Sequence, residues 1–257
     1  MHLNYREQGA GSPTVLLHGL FGSLSNLGAL AQSLSHTMRV VSFDLRNHGD
    51  SPHDGHMDLD CMARDVVESM AVLGIERASF LGHSLGGKVA MQVALMHPEQ
   101  VVKLLVADIA PVHYSPSHGA VLNALELINR SLVDSRSKAK DILMKWVTDP
   151  AVGDFLLKNL YRGEDKKYRL RLNLSSISDN YNTQLLAAPK GLPFGGPALF
   201  LKGQNSAYIQ DKHRTFIERL FPCAEVVVIE GAGHWLHAEQ PRIFNKLVGD
   251  FIGREIA

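Results

Sequence analysis

Short apolar runs punctuate the chain at residues 14–17, 40–43, 78–81, 103–106, 198–201 and 225–229, each ending in a turn-like segment. That pattern predicts strands buried on both faces of a parallel sheet. Between the runs the apolar positions switch to helical spacing. Met62, Val66, Met70 and Leu73 share one face of residues 59–73, with Asp58 or Asp60 available as a cap. Residues 85–96 continue helically until the His97-Pro98 break. Further helices are predicted over 208–220 and 240–252, the last with Pro241 in its first turn. Strands alternating with helices predict an α/β fold, a mostly parallel central sheet flanked by helices and wound by right-handed crossovers.

Residues 112–197 break this rhythm. Helical patterns at 120–132 and 138–146 give way to a polar, irregular stretch ending in Pro189, Gly191, Pro193, Gly195, Gly196 and Pro197. No buried strand is predicted between Pro111 and Ala198. The chain therefore reads as a core domain, residues 1–111 and 198–257, with a helical cap domain, residues 112–197, inserted between two strands. Sheet enzymes bind ligands beyond the carboxyl ends of their strands. An insertion leaving from such an end would lie over the site.

A chain of 257 residues accommodates one large core with a smaller insertion. The formal charge is zero, so nothing draws the protein towards nucleic acid or an anionic membrane. No stretch approaches the roughly 18 consecutive apolar residues of a membrane span, and the first residues have no signal-like apolar segment. Cytoplasmic residence with no obligate protein partner is the expectation. Cys61 and Cys223 have no framework spacing and are expected to be reduced thiols.

Gly82-His83-Ser84-Leu85-Gly86 matches G-x-S-x-G, with an apolar strand before it and a helical pattern after it. That context is what a nucleophile elbow requires. The glycines remove side chains where the turn is most crowded, so Ser84 can occupy a strained position with its hydroxyl above the sheet. A second strand end, Leu17-His18-Gly19-Leu20-Phe21-Gly22, fits as half of an oxyanion hole. Its donor would be the Leu20 amide, with Phe21 as the neighbouring alternative, and the Leu85 amide would be the other half. His18 reads as a structural hydrogen-bonding residue.

A serine hydroxyl needs a positioned base. Of thirteen histidines, His234 stands between the last predicted strand and the last helix, flanked by Gly231 and Gly233. His83, Phe21 and Trp235 are candidate substrate-binding residues. His48 and His53 follow another strand and remain pocket candidates. The acid must hold the imidazole tautomer. Asp108 directly follows the strand expected beside the nucleophile strand, whereas Gln204-Asn205-Ser206 carries no carboxylate. Asp211 falls in the predicted helix, and Asp44 precedes the nucleophile in the chain. Asp108 is the choice. This chemistry calls for no metal or cofactor, and no H-E-x-x-H spacing is present.

With these motifs in hand, the sequence resembles the YbfF-like esterases of the α/β-hydrolase superfamily, and more distantly their mitochondrial relatives. The resemblance runs through His18-Gly19-Leu20-Phe21-Gly22-Ser23, Asp44-Leu45-Arg46-Asn47-His48-Gly49, the elbow, Asp108-Ile109-Ala110-Pro111 and Gly233-His234-Trp235-Leu236-His237. The superfamily usually carries its acid one strand later, near Gln204-Asn205-Ser206; the narrower group carries it where Asp108 stands. The resemblance implies a helical cap and hydrolysis of short-chain carboxylic esters, with acyl thioesters such as acyl-CoA as a second substrate class. A carbon–carbon bond hydrolase of the same fold, or a non-catalytic small-ligand receptor, are the rival readings. Between Lys158 and Arg171 six basic residues stand against Glu164 and Asp165, a run that would favour an anionic leaving group if it bordered the entrance.

Overall fold

The computed structural model describes residues 1–254. Its strands and helices appear in the order β1 (Tyr5–Gln8), β2 (Ser12–Leu17), α1 (Gly28–Leu34), β3 (Met38–Phe43), α2 (Leu59–Val72), β4 (Ala78–His83), α3 (Leu85–Met96) and β5 (Val101–Ala107). An inserted stretch follows, and then β8 (Ala198–Gly203), α8 (Arg214–Leu220), β9 (Ala224–Ile229), α9 (Leu236–Glu239) and α10 (Pro241–Gly253). The insertion itself holds α4 (Gly119–Ser131), α5 (Arg136–Leu143), α6 (Pro150–Leu157), the strands β6 (Leu160–Arg162) and β7 (Tyr168–Leu170), and α7 (Leu174–Asn180).

Seven strands form one sheet in the order β1-β3-β2-β4-β5-β8-β9. β1 is antiparallel to β3 and every other pair is parallel. The six predicted apolar runs are its six parallel strands. Their side chains alternate between two cores, as the period of two requires: Val15 and Leu17 enter one, Leu16 the other. α1 and α10 cover the second core through Leu30, Leu34, Phe244 and Val248. α2 and α3 cover the first through Met62, Val66, Val89 and Val93. Asp58 is the N-cap of α2, its carboxylate accepting from the Cys61 amide at 2.7 Å.

The strand order reverses at β2, since the chain steps from β2 outward to β3 and returns past β2 to β4. Register aligns Leu17 with Gly82 and His83 with Ala107 at this end of the sheet. Residues 19–21, Ser84 and Asp108 therefore leave neighbouring strand ends together, at the crevice where such sheets bind ligands.

The insertion shares the first core, into which α4 directs Leu122, Leu125 and Ile128. Its return is fastened to α3: Lys88 Nζ donates to the carbonyls of Leu186 and Ala187 at 2.8 and 2.6 Å, and Gln92 bonds Lys190 through both backbone groups. The insertion also contains the β6–β7 hairpin, which the sequence pattern did not predict. The hairpin is three residues a side and buries only Leu160 and Leu170, so no apolar run marks it. The predicted helix over 208–220 is shorter, beginning with a turn of 3-10 helix at Asp211. Tyr208 lies before it, in a turn where its carbonyl accepts from the Tyr114 hydroxyl and its amide donates to Ser206 Oγ.

Candidate active site

Ser84 is the single residue between β4 and α3, with φ 53° and ψ −117°. A side chain at positive φ is disfavoured, and it persists only where its surroundings over-determine it. Two glycines permit it here: a Cβ on Gly82 would sit 2.1 Å from the Gly86 carbonyl oxygen, and one on Gly86 would sit 2.3 Å from that of Leu17. The Ser84 amide donates to the Ala107 carbonyl at 3.0 Å, tying the elbow to the next strand.

Asp108, just past Ala107, also has positive φ and is wholly buried. Its Oδ1 accepts from the Gly203 amide at 3.0 Å, and its Oδ2 accepts from His234 Nδ1 at 2.7 Å and from the Ser206 hydroxyl. A carboxylate can only accept, so Nδ1 carries the proton of this hydrogen bond and Nε2 is the ring nitrogen that Asp108 leaves unengaged. Tyr208 stacks on that ring at 4.1 Å between centroids, fixing its plane.

Burial pushes the imidazoles nearby below the usual histidine range. His83 sits well below the usual histidine range because it is buried, with His237 and His234 adding to the effect. Burial, then His234 and Lys158, lower His237 to about 4. His118 is lowered by burial and by His234. His83 Nε2 donates to the backbone carbonyl of His234 at 2.9 Å, so its polar edge grips the loop that carries His234.

Ser84 opens onto two cavities. The first, about 320 Å³, is lined by Leu20, Leu85, Lys88, Ile109, Leu185 and Leu186 among others. The second, about 260 Å³, is lined by Phe21, His83, His234 and Trp235 with Val152 and Phe155. Leu20, His118 and Tyr208 border both. Phe21, His83, Ser84, His234 and Trp235 thus converge here, with Asp108 behind His234, whereas His48 is buried behind Phe21 and the exposed His53 lines neither cavity. The Phe21 amide donates to His48 Nε2 at 3.1 Å and is not free to bind a ligand. The Leu85 amide, at the first position of α3, has no acceptor within its helix. His18 is structural as expected, its ring spanning the Gly19 carbonyl and the Leu45 amide.

Several site residues had no signal in the sequence. Ser206 comes from the loop that lacks a carboxylate. His118, Val152 and Phe155 come from the insertion, where helical spacing cannot separate core from cavity wall. None of the six residues of the basic run lines either cavity; Arg169 pairs with Asp165, and Arg171 pairs with Asp50.

A sequence model of the alpha/beta hydrolase family matches residues 14–247. The chain belongs to that family. It is 38% identical to esterase YbfF of Escherichia coli (strain K12) over 247 residues, spanning 94% of this chain and 95% of that protein. An sn-1-specific diacylglycerol lipase of Xenopus tropicalis is 40% identical, spanning 96% of this chain and 80% of that one. The solved structure of a marine microorganism esterase superposes with a TM-score of 0.94 at 40% identity, covering 97% and 99% of the two chains. The chain is a homologue of the YbfF esterases and a hydrolase of that kind. Among the described residues no helix is long and apolar enough to cross a membrane.

Proposed function

We propose that the chain is a serine carboxylesterase that turns over short-chain esters through an acyl-enzyme on Ser84. The observation that carries the reading is the 2.7 Å contact between His234 and a buried, multiply hydrogen-bonded Asp108, with the His234 ring facing the cavity onto which Ser84 opens. In this reading His234 Nε2 takes the Ser84 proton as Oγ attacks the acyl carbon. The Leu20 and Leu85 amides receive the oxyanion, His234 protonates the departing alkoxide, and a water activated by His234 releases the acid. Asp108 stabilises the imidazolium formed in between. A thiolate can leave by the same route, so acyl thioesters are a further substrate class. Residues 112–197 serve as the cap over this site. Two unpaired cysteines, Cys61 and Cys223, suit the cytoplasm.

The two cavities divide the substrate. The leaving oxygen must lie within reach of His234, so the alcohol occupies the cavity lined by His234 and Trp235, and the acyl chain enters the one lined by Leu85, Ile109 and Leu185. Substitution distinguishes them. Leu185→Trp is expected to lower kcat/KM about tenfold or more for p-nitrophenyl hexanoate and to spare the acetate, a loss of at least about 1.4 kcal/mol in transition-state binding. Val152→Trp is expected to penalise naphthyl acetate over methyl acetate. The opposite pattern contradicts the assignment, and a Ser84→Ala protein that still hydrolyses these esters contradicts the function.

A further inference from the structure

Leu20 and Phe21 are the central residues of a turn closed by the Gly22 amide on the Gly19 carbonyl at 3.0 Å. Phe21, the third residue of the turn, has φ 59° and is almost completely buried. Glycine is the usual occupant of that position, because a side chain there is strained. Left to itself, Phe21 would relax towards negative φ, turning the two peptides that flank it relative to each other. The rest of the four-residue turn, including the Leu20 amide one peptide further back, would shift with them.

Two buried contacts, one on each peptide that flanks Phe21, oppose that change. The Phe21 amide donates to His48 Nε2 at 3.1 Å, and His48 Nδ1 donates to the Arg46 carbonyl at 2.9 Å, which leaves the Nε2 lone pair to accept. The Phe21 carbonyl accepts from Asn159 Nδ2 at 2.7 Å. Asn159 belongs to the insertion, between α6 and β6, and is only 4% exposed. Its Nδ2 also donates to the Leu156 carbonyl at 3.0 Å. A flipped amide would point its oxygen at both carbonyls, so the orientation is unambiguous. The His48 contact depends on the insertion as well: His48 bridges to Leu172, and Asn47 Nδ2 donates to Ser176 Oγ at 3.0 Å.

We propose that Asn159 is a positioning residue for the oxyanion hole: by holding the Phe21 carbonyl it keeps the strained turn in the conformation that aims the Leu20 amide at the substrate. The catalytic core is then incomplete without its insertion. The insertion supplies the clamp on a donor that belongs to the core, and seating the insertion and assembling the oxyanion hole become one event. This rests on the acyl-enzyme reading above.

The test separates transition-state binding from ground-state binding. Asn159→Leu removes the donor at similar volume; Asn159→Asp keeps the shape and sets a carboxylate against the Phe21 carbonyl. Each is assayed with p-nitrophenyl butyrate and with an alkyl trifluoromethyl ketone, which binds as an oxyanion adduct. Both variants are expected to lose about 10- to 100-fold in kcat, short of the 10²–10³-fold typical when a donor is deleted outright. KM should stay within about twofold, as expected when only transition-state contacts are lost. Affinity for the ketone should fall by the same factor as kcat. A folded variant of either kind with wild-type kcat and ketone affinity overturns the proposal. So does a loss expressed in KM with ketone affinity retained. A wild-type protein that the ketone does not inhibit, and that a phosphonate does not label at Ser84, instead overturns the reading beneath it.

Discussion

His83 Nε2 donates to the backbone carbonyl of His234 at 2.9 Å, so the residue beside the nucleophile in sequence holds the loop that carries the base. The contact joins β4 to the turn after β9, two elements that are not neighbours in the sheet. His83→Leu is expected to lower kcat about 2- to 12-fold, matching the loss of one neutral hydrogen bond of about 0.5–1.5 kcal/mol. His83→Gln, which keeps a donor, should fall in between. An unchanged kcat in His83→Leu would mean that the loop is held by its other contacts.

Asp108 is expected to be the acid on which His234 depends. Asp108→Asn keeps an acceptor for the Gly203 amide but can present its NH2 group to His234 Nδ1, which favours the wrong tautomer. A fall in kcat of about 10³- to 10⁴-fold with near-native circular dichroism is the expected result. Retention of more than a tenth of the activity would move the acid elsewhere, with Asp211 the next carboxylate to examine.

All three candidate residues were legible in the sequence by their positions at strand ends. Ser84 was legible because a strained elbow demands glycines at fixed offsets, and His234 and Asp108 because strand ends are legible as the close of apolar runs. The polar strand β1 was not, since Tyr5–Gln8 is mostly exposed and is held by backbone pairing to β3. Tyr208 was read into a helix because residues 208–220 carry helical spacing. The chain instead turns at Ser206 and brings the Tyr208 ring onto His234. Asn159 gave no signal at all: it meets Phe21 across 138 residues, a contact that only the folded chain creates.

Lys88 makes a prediction about pH. It is buried one helical turn after Ser84 and, among the described residues, has no carboxylate partner and donates to the Leu186 and Ala187 carbonyls. Burial lowers it to about 7. As pH rises through that value the folded protein releases the proton, whereas the unfolded chain keeps it until about 10.4. The unfolded state thus binds more protons across this window, and Lys88 contributes a gain in stability with pH of up to about 1.4 kcal/mol per unit. Below pH 7 both states are protonated and the contribution is flat. Lys88→Met removes the gain, so the difference in urea unfolding free energy, wild type minus variant, should climb between pH 7 and 9. A difference that does not change with pH would refute this.

The central claim is that Ser84 is a nucleophile activated by His234, and intact-mass measurement after treatment with an alkyl fluorophosphonate tests it most directly. The wild-type protein should gain the mass of one phosphonyl group, carried on the peptide that contains Ser84. Ser84→Ala should gain none, and His234→Ala should label at least about 10³-fold more slowly, because the hydroxyl has lost its base. A wild-type protein that hydrolyses esters yet is labelled on another residue, or at the same rate without His234, would contradict the account.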